Sequence, residues 1–323
     1  MGVAIKDVIG IIKELPEEYL EDAFEKLTEI KEKAKTCAEK EAKTESCPHC
    51  ASKAIVRNGK RHKRQAYLCR SCGKTFTQTA VSAIAYSHSS ETVWKEVIRD
   101  TVNGISIDET AENLALAHST VFNMRHKILF CVEQATLAAP VKLDGVCEAD
   151  ETYVLESLKG RKLPDDYYRK PRRHGAKAGK PGVSGEYICV CTSVTGEDEC
   201  MAYAVNRATP SKAELLEVFE DKIVENTVIL CDGKTNYDVL GEKCTVAHTE
   251  RINKVNGFHS FIKERIRAAR GVATIYLNRY NAFFAKIFGN QDSAVNNIYD
   301  IMKTRDFSFH TIADVKSQNL LNV

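Results

Sequence analysis

Three acidic side chains lie in one short segment, Cys-Glu-Ala-Asp-Glu-Thr-Tyr, that otherwise has the character of a strand. Alternation along a strand places Glu148, Asp150 and Thr152 on one face. Glu151 and Tyr153 then lie on the other face. Because a buried carboxylate is costly without a positive partner, a cation is expected beside this strand.

A second candidate carboxylate is Asp232, which directly follows the apolar run Val228–Cys231. A strand ending there would expose the carboxylate beside the face that carries Asp150. Two aspartates on adjacent strands can share a hard divalent ion such as Mg²⁺ or Mn²⁺. Two such ions about 4 Å apart can activate water and stabilise the leaving oxygen of a phosphodiester. The alternative is that each acid only caps a helix or forms a salt bridge.

The third candidate element is a helical segment that contains Asn256 and Lys263. Residues seven apart return to the same helix face, so an amide oxygen and an ammonium would face one site. An amide is a neutral ligand and cannot act as a general base. Glu250 and Glu264 are nearby carboxylates that could replace it, but Glu264 is turned away on the helix and Glu250 precedes it.

Two Cys-x-x-Cys pairs separated by 18 residues predict a structural Zn²⁺ site of four thiolates, Cys47, Cys50, Cys69 and Cys72. Zinc would supply the folding energy of a short hairpin without a core of its own. Redox-active dithiols and chance pairs do not explain why the pairs flank that hairpin. Its basic residues, which include Arg61 and Arg64, favour a zinc ribbon that contacts DNA. Many ribbons, however, only dock proteins.

Residues 106–125 have the pattern of a helix-turn-helix, with Ser119 as the expected N-cap of the second helix. Such a helix presents its N-terminal residues to base edges in the major groove. The side chains expected on that exposed side are Ser119, Thr120, Asn123 and Arg125. An ordinary helical hairpin is the alternative.

Charge is unevenly distributed along the chain, although 46 basic and 44 acidic residues leave a net charge of only +2. Basic clusters occupy residues 57–74, 159–180 and 251–270. The second includes Arg172 and Arg173, and the third includes Arg267. Three separated clusters favour a long polyanion contacted at several places, although each could simply be a solvated face.

The length of 323 residues predicts about two domains and a small additional module. Strand-like runs and one helical run after residue 140 follow the order β-β-β-α-β, which predicts an α/β domain. The expected divisions are a helical extension (1–40), a zinc ribbon (41–80), a helix-turn-helix region (88–138), a catalytic domain (141–290) with a basic insert (156–185), and a helical tail (291–323).

Nothing in the sequence predicts export or membrane insertion. No apolar run approaches the roughly 18 residues of a membrane span, and charged residues interrupt the N-terminal segment where a signal peptide would be apolar. Twelve cysteines in a chain of this length are expected to be reduced thiols apart from one zinc site. A cytoplasmic protein without a membrane partner is therefore expected.

Taken together, these motifs resemble bacterial insertion-sequence transposases of the ISXO-two-like group, over residues 47–290. The resemblance implies a ribonuclease-H-like catalytic domain with Asp150 and Asp232 as metal ligands. It also implies Asn256, the favoured third ligand, at the position usually held by a glutamate, and Lys263 seven residues later, an Asp-Asp-Asn-Lys variant. The basic insert would clamp a terminal inverted repeat; a solvated linker is the alternative.

The expected function is DNA transposition by a nucleoid-associated homodimer or higher oligomer. The N-terminal modules would bind double-stranded DNA at the element's ends, and the catalytic domain would cut and join those ends to target DNA. A DNA-binding regulator with an inactive transposase-derived domain is the main alternative. A stand-alone nuclease would not need the two end-recognition modules.

Overall fold

The computed structural model describes residues 45–61, 64–77, 82–85, 87–160, 165–170, 178–179, 182–233, 235–303, 312–317 and 321. The chain divides into two compact units between residues 78 and 79. The expected helical extension (1–40) and the pair Arg172 and Arg173 lie outside the described residues.

The first unit contains a three-stranded antiparallel sheet in the order β1-β2-β3. Its strands are β1 (Ile55–Arg61), β2 (Arg64–Cys69) and β3 (Thr75–Thr77). Within its described residues, 45–61 and 64–77, the apolar interior is small, since Ala66 and Phe76 are buried there besides Cys47 and Cys69. A sheet with so small an interior needs stabilisation beyond hydrophobic burial.

Three helices open the second unit: α1 (Glu91–Asn103), α2 (Ile107–Asn113) and α3 (His118–Ala138). Gly104 ends α1 in a left-handed conformation (φ 76°), and Ser106 caps α2 by accepting from the Glu109 N–H. The N-cap of α3 is Ala117, without a side-chain hydrogen bond. The expectation that Ser119 is this cap is wrong, because α3 begins before Ser119.

The central sheet of the second unit has five strands in the order β6-β5-β4-β7-β8. Its strands are β4 (Val146–Leu155), β5 (Tyr187–Val194), β6 (Cys200–Arg207), β7 (Val228–Cys231) and β8 (Thr245–His248). The first three are antiparallel, whereas β7 runs parallel to β4 and β8 runs parallel to β7. The second unit is thus a mixed α/β structure, in agreement with the predicted class.

Helices cover the sheet on both faces. They are α4 (Lys212–Phe219), α5 (Asn253–Ala268), α6 (Leu277–Ile287), α7 (Gln291–Lys303) and the short α8 (Ile312–Ser317), with 3₁₀ segments at Thr235–Glu242 and Thr274–Tyr276. One core joins a sheet face, including Ile188 and Val190, to α1–α3 and α5–α7. The other core joins Cys189 and Cys191 on the opposite face to α4 and the first 3₁₀ segment. Within the described residues, none of these helices has both the length and the apolar character to cross a bilayer.

Candidate functional site

Asp150 lies on β4, and Asp232 directly follows β7, the strand that runs parallel to β4. In the β4–β7 pairing, Val146 lies opposite Val228 and Glu148 lies opposite Leu230. Continuing this register by two residues would place Asp232, directly after β7, beside Asp150. Adjacent strands are roughly 4.8 Å apart, so this register would bring the two residues near each other.

Helix α5 is fastened to β4 at its N-terminus. The Glu148 Oε2 atom accepts a hydrogen bond of 3.0 Å from the backbone N–H of Val255, in the first turn of α5. A carboxylate at this end of a helix satisfies an unpaired N–H and interacts favourably with the helix dipole. Asn256, the next residue on α5, is exposed.

His259, which was not among the residues expected at this site, connects α5 to Asp150 directly. Its imidazole is 6% exposed and its Nδ1 atom lies 3.9 Å from Asp150 Oδ2. Its Nε2 atom lies 2.6 Å from Thr192 Oγ1, on the residue paired with Asp150 across β4 and β5. The available sequence signal was its position one helical turn after Asn256.

Asn256 and Lys263 are both exposed on α5. The Ser260 hydroxyl between them donates to the backbone carbonyl oxygen of Asn256 at 3.1 Å, so the side-chain amide of Asn256 takes no part in this hydrogen bond. Seven residues of helix separate Asn256 from Lys263 by about 10 Å along the axis. Glu250 and Glu264 are exposed as well, so burial does not distinguish them from Asn256 as candidate ligands.

A second histidine lies beside Asp232. The Nδ1 atom of His248 is 3.1 Å from the Asp232 carbonyl oxygen, and its Nε2 atom is 2.9 Å from Asp238 Oδ1. These two hydrogen bonds, with that to Asp232 the stronger cause, raise the pKa of His248. The neighbouring Cys231 thiol has its pKa raised to about 11 by burial and by surrounding carboxylates, first Asp232. Negative charge is therefore concentrated around Asp232 and Cys231.

The four predicted zinc ligands meet in the first unit. Their sulfur atoms all lie within 4.8 Å of one another, and this is the only group of three or more acidic, cysteine or histidine ligands that satisfies this distance among the described residues. The separations of 3.7 Å (Cys47 to Cys72) and 3.6 Å (Cys50 to Cys69) match the roughly 3.8 Å of a tetrahedral zinc thiolate site. The cluster fits zinc.

Within this cluster, and against a backbone hydrogen bond at Ser52, burial and the neighbouring thiols raise the pKa of Cys50 to about 12, whereas the pKa of Cys69 is lowered. Burial opposes its ionisation, but hydrogen bonds from the backbone of Cys72 and Ser71 lower its pKa to about 6. Basic side chains accompany the cluster, because Lys60 and Arg61 are exposed on β1. The side chain of Arg64 lies outside the described residues.

The residues expected to contact DNA from the helix-turn-helix differ in their exposure. Ser119 is exposed, and Thr120 and Asn123 are half-buried on α3. Arg125 instead points inward, where its Nη2 atom donates to Ile105 O at 2.5 Å and to Thr110 Oγ1 at 3.0 Å. The expectation that Arg125 lies on the exposed side of this helix is wrong, because its guanidinium joins α3 to the start of α2.

The first part of the basic insert is bound to the sheet through Glu156. Its buried carboxylate accepts hydrogen bonds from Arg169 and Arg207, each at 2.6 Å, and from the hydroxyls of Tyr167 and Tyr168. Burial opposes ionisation, yet these donors, first Tyr168, lower the pKa of Glu156 to about 2. Arg169 therefore has a structural partner. Arg267, another predicted DNA contact, is exposed on α5.

No family model matches the chain. The chain is 25% identical over 201 residues to an uncharacterised protein in the transposable element ISH50 of Halobacterium salinarum. The aligned residues make up 61% of this chain and 64% of that protein. The chain thus spans less than two thirds of the length of this relative.

Among the solved structures that the chain resembles are two Mos1 complexes, both with low TM-scores. The Mos1 strand transfer complex has a TM-score of 0.27 and 11% identity over 65% of this chain and 78% of that chain. A pre-cleavage Mos1 transpososome has a TM-score of 0.24 and 10% identity, over 61% of this chain and 74% of that chain. At these values the structural likeness supports no argument, whereas the sequence similarity connects the chain to a protein of a transposable element.

Proposed function

We propose that the protein is a DNA transposase that cuts the ends of an insertion sequence and joins them to target DNA. The observation that carries this proposal is the parallel pairing of β4 with β7, whose register, continued past Leu230, would bring Asp232 next to Asp150, with α5 docked on the same face of the sheet. The similarity to a transposable-element protein supports it. Membership of the ISXO-two-like group is part of the proposal.

We assign the ribonuclease-H-like architecture to the sheet and its helices. In the order β6-β5-β4-β7-β8, the first three strands in sequence form an antiparallel meander and the next two continue the sheet on the side of the first. Candidate residues then lie on the central strand, at the end of its parallel neighbour, and on the helix that follows the last strand.

The donor set of the site fits divalent cations of the Mg²⁺ or Mn²⁺ type. Carboxylates of Asp150 and Asp232 and the amide oxygen of Asn256 are hard oxygen ligands. Burial first, and then carboxylates that include Asp232 and Asp150, raise the pKa of the neighbouring Cys231. Bound there, such ions would activate a water molecule and stabilise the leaving oxygen of a phosphodiester.

The side chains of the site have different roles in the reaction. Asp150 and Asp232 hold and orient the reacting groups, and Lys263 binds a phosphate near the cut. In hydrolysis, water forms a bond to phosphorus, the 3′-oxygen leaves with a proton, and a 5′-phosphate remains. In joining, that 3′-hydroxyl attacks a target phosphodiester and displaces another 3′-oxygen, so the number of phosphodiester bonds is unchanged.

End recognition is assigned to the N-terminal modules. We propose that zinc bound to the cysteine cluster holds the ribbon, whose exposed Lys60 and Arg61 contact phosphates. Ser119, Thr120 and Asn123 on α3 are the remaining candidates for base contacts. Pairing of two ends by a dimer or higher oligomer at the bacterial nucleoid completes the proposal. The alternative is a DNA-binding regulator with an inactive catalytic domain.

The decisive experiment follows a labelled duplex that carries the inverted repeats flanking the coding region. The parent protein should nick and join this duplex in Mg²⁺ or Mn²⁺, whereas Asp150→Asn and Asp232→Asn should bind it without cutting. Asp221→Asn, which removes an exposed acid paired with Lys222, is the matched control and should cut normally. Specific binding by the parent without cleavage in either ion would favour the regulator.

A further inference from the structure

The contacts of His259 define which of its nitrogen atoms carries a proton. Thr192 Oγ1 has one hydrogen, and it donates that hydrogen to the Asp150 carbonyl oxygen at 2.7 Å. The same oxygen lies 2.6 Å from His259 Nε2 and must therefore accept from the Nε2–H group. A neutral His259 ring consequently has its lone pair on Nδ1.

That lone pair faces the candidate metal ligand Asp150. Nδ1 and Asp150 Oδ2 are 3.9 Å apart, a separation that a single cation at roughly 2.1 Å from each atom can span. Metal-binding histidines characteristically donate their other N–H to an oxygen, which fixes the ring orientation. Thr192, fully buried in the sheet, has this role for His259.

The neighbouring side chains on this face are uncharged or already have partners. Asn256 contributes no charge, and the Glu148 carboxylate on the same face already accepts from the Val255 N–H. The nearby ammonium of Lys254 is paired with Asp198 at 2.7 Å. Asn256 and Glu148 therefore leave the position beside Asp150 to the imidazole of His259.

We propose that His259 is a metal ligand of the candidate site, binding through Nδ1 a divalent ion that it shares with Asp150. This inference rests on the proposed function, because it concerns the same ion. Imidazole ligands suit transition metals better than Mg²⁺, so the site should prefer Mn²⁺. Sequence position alone assigns the third ligand to Asn256, one turn earlier on the exposed side of α5.

The test measures Mn²⁺ binding to the full zinc-loaded chain by electron paramagnetic resonance. Zn²⁺ in the ribbon is d¹⁰ and gives no signal. The parent should show a coupling between Mn²⁺ and a directly bound nitrogen, and the coupling should change when histidine is labelled with ¹⁵N. His259→Gln should abolish it and weaken Mn²⁺ binding roughly 10- to 100-fold.

Three further variants separate ligation from folding. Thr192→Val, which removes the acceptor of Nε2–H, should weaken Mn²⁺ binding about tenfold, and Thr192→Ser should restore it. His126→Gln replaces a buried histidine of α3 that packs on Phe122 and Tyr276, and should leave the spectrum unchanged. His248→Gln, next to Asp232, should retain the nitrogen coupling.

Each outcome has a distinct meaning. Binding of Mn²⁺ that is lost in Asp150→Asn but shows no nitrogen coupling would overturn the role of His259 and leave the proposed function intact; His259 would then pair with Asp150 as an imidazolium. Retention of the coupling in His259→Gln would overturn it too. Absence of any binding that depends on Asp150 would contradict both the ligand and the metal-dependent function.

Discussion

The carboxylate of Glu148 on β4 caps helix α5 by accepting the backbone N–H of Val255 at 3.0 Å. Two residues that are 107 positions apart in sequence thereby fix where α5 starts on the sheet. Asn256 follows Val255 directly, and His259 lies one turn further on. The acidic strand thus contributes both a candidate metal ligand, Asp150, and the support for the helix opposite it.

Removing this support should affect stability and cleavage together. Glu148→Ala should lower the free energy of unfolding by about 1 kcal/mol, as for other lost helix caps, and should reduce cleavage because the first turn of α5 carries Asn256. Glu148→Gln keeps an oxygen acceptor and should lose less of both. Urea denaturation and end cleavage are the measurements. Full cleavage by Glu148→Ala would show that the cap does not position the site.

Arg125 is predicted to contribute to folding rather than to base recognition. Its guanidinium satisfies Ile105 O and Thr110 Oγ1, so Arg125→Ala leaves buried acceptors without their donor and should cost about 2 kcal/mol of stability. Asn123→Ala, one half-turn away on α3, should instead reduce the preference for end DNA over random DNA by about 1–3 kcal/mol. Denaturation and competition binding distinguish the two effects, and equal stability of both variants would refute the assignment.

The Glu156 cluster should make stability depend on pH in the acidic range. Its folded-state pKa of about 2 lies below the ordinary value of 4.5, so the ionised carboxylate stabilises the fold above pH 4.5. This contribution is lost as the pH falls from about 4.5 towards 2. Glu156→Gln should lose about 2–3 kcal/mol at pH 7 and show a flatter stability curve over this interval.

The matched control for Glu156 is the exposed Glu197, where Glu197→Gln should follow the parent curve. Chemical denaturation at a series of pH values measures both variants. A parent whose stability changes no more steeply than that of Glu156→Gln between pH 5 and 2 would mean that the carboxylate is not held by Arg169 and Arg207 in solution.

Zinc removal should unfold the first unit alone. The interior of residues 45–77 contains little apolar volume, and the cysteine cluster accounts for two of its buried residues, Cys47 and Cys69. Chelation or Cys69→Ser should therefore expose the backbone amides of this segment to exchange, whereas the five-stranded sheet stays protected. Hydrogen exchange with metal analysis measures this, and one zinc per chain is expected. Purified protein without zinc but with protected amides in β1 and β2 would exclude the metal as their source of stability.

Patterns that are local in sequence predicted much of the fold. The alternation of the acidic strand predicted β4 and the apolar run before Asp232 predicted β7, so the positions of Asp150 on β4 and of Asp232 directly after β7 could be predicted. The inward orientation of the Arg125 side chain and the N-cap at Ala117 could not be predicted, because both depend on how α2 and α3 pack. His259 was missed for the same reason, since its importance comes from Thr192 on another strand.

The contribution of Asn256 is best tested beside that of Lys263, on the same helix. If the Asn256 amide also holds an ion, Asn256→Ala should abolish cleavage nearly as fully as Asp150→Asn, while Asn256→Asp should retain activity and bind the ion more tightly. Lys263→Ala should weaken binding of the cut end and leave Mn²⁺ affinity unchanged, because an ammonium contacts phosphate and not metal. Cleavage at several Mg²⁺ concentrations, with DNA binding measured in parallel, resolves these effects.

Glu264→Ala, which removes an exposed acid next to Lys263, is the control. Loss of cleavage in Glu264→Ala or Glu250→Ala, with full activity in Asn256→Ala, would assign the ligand to one of those carboxylates instead.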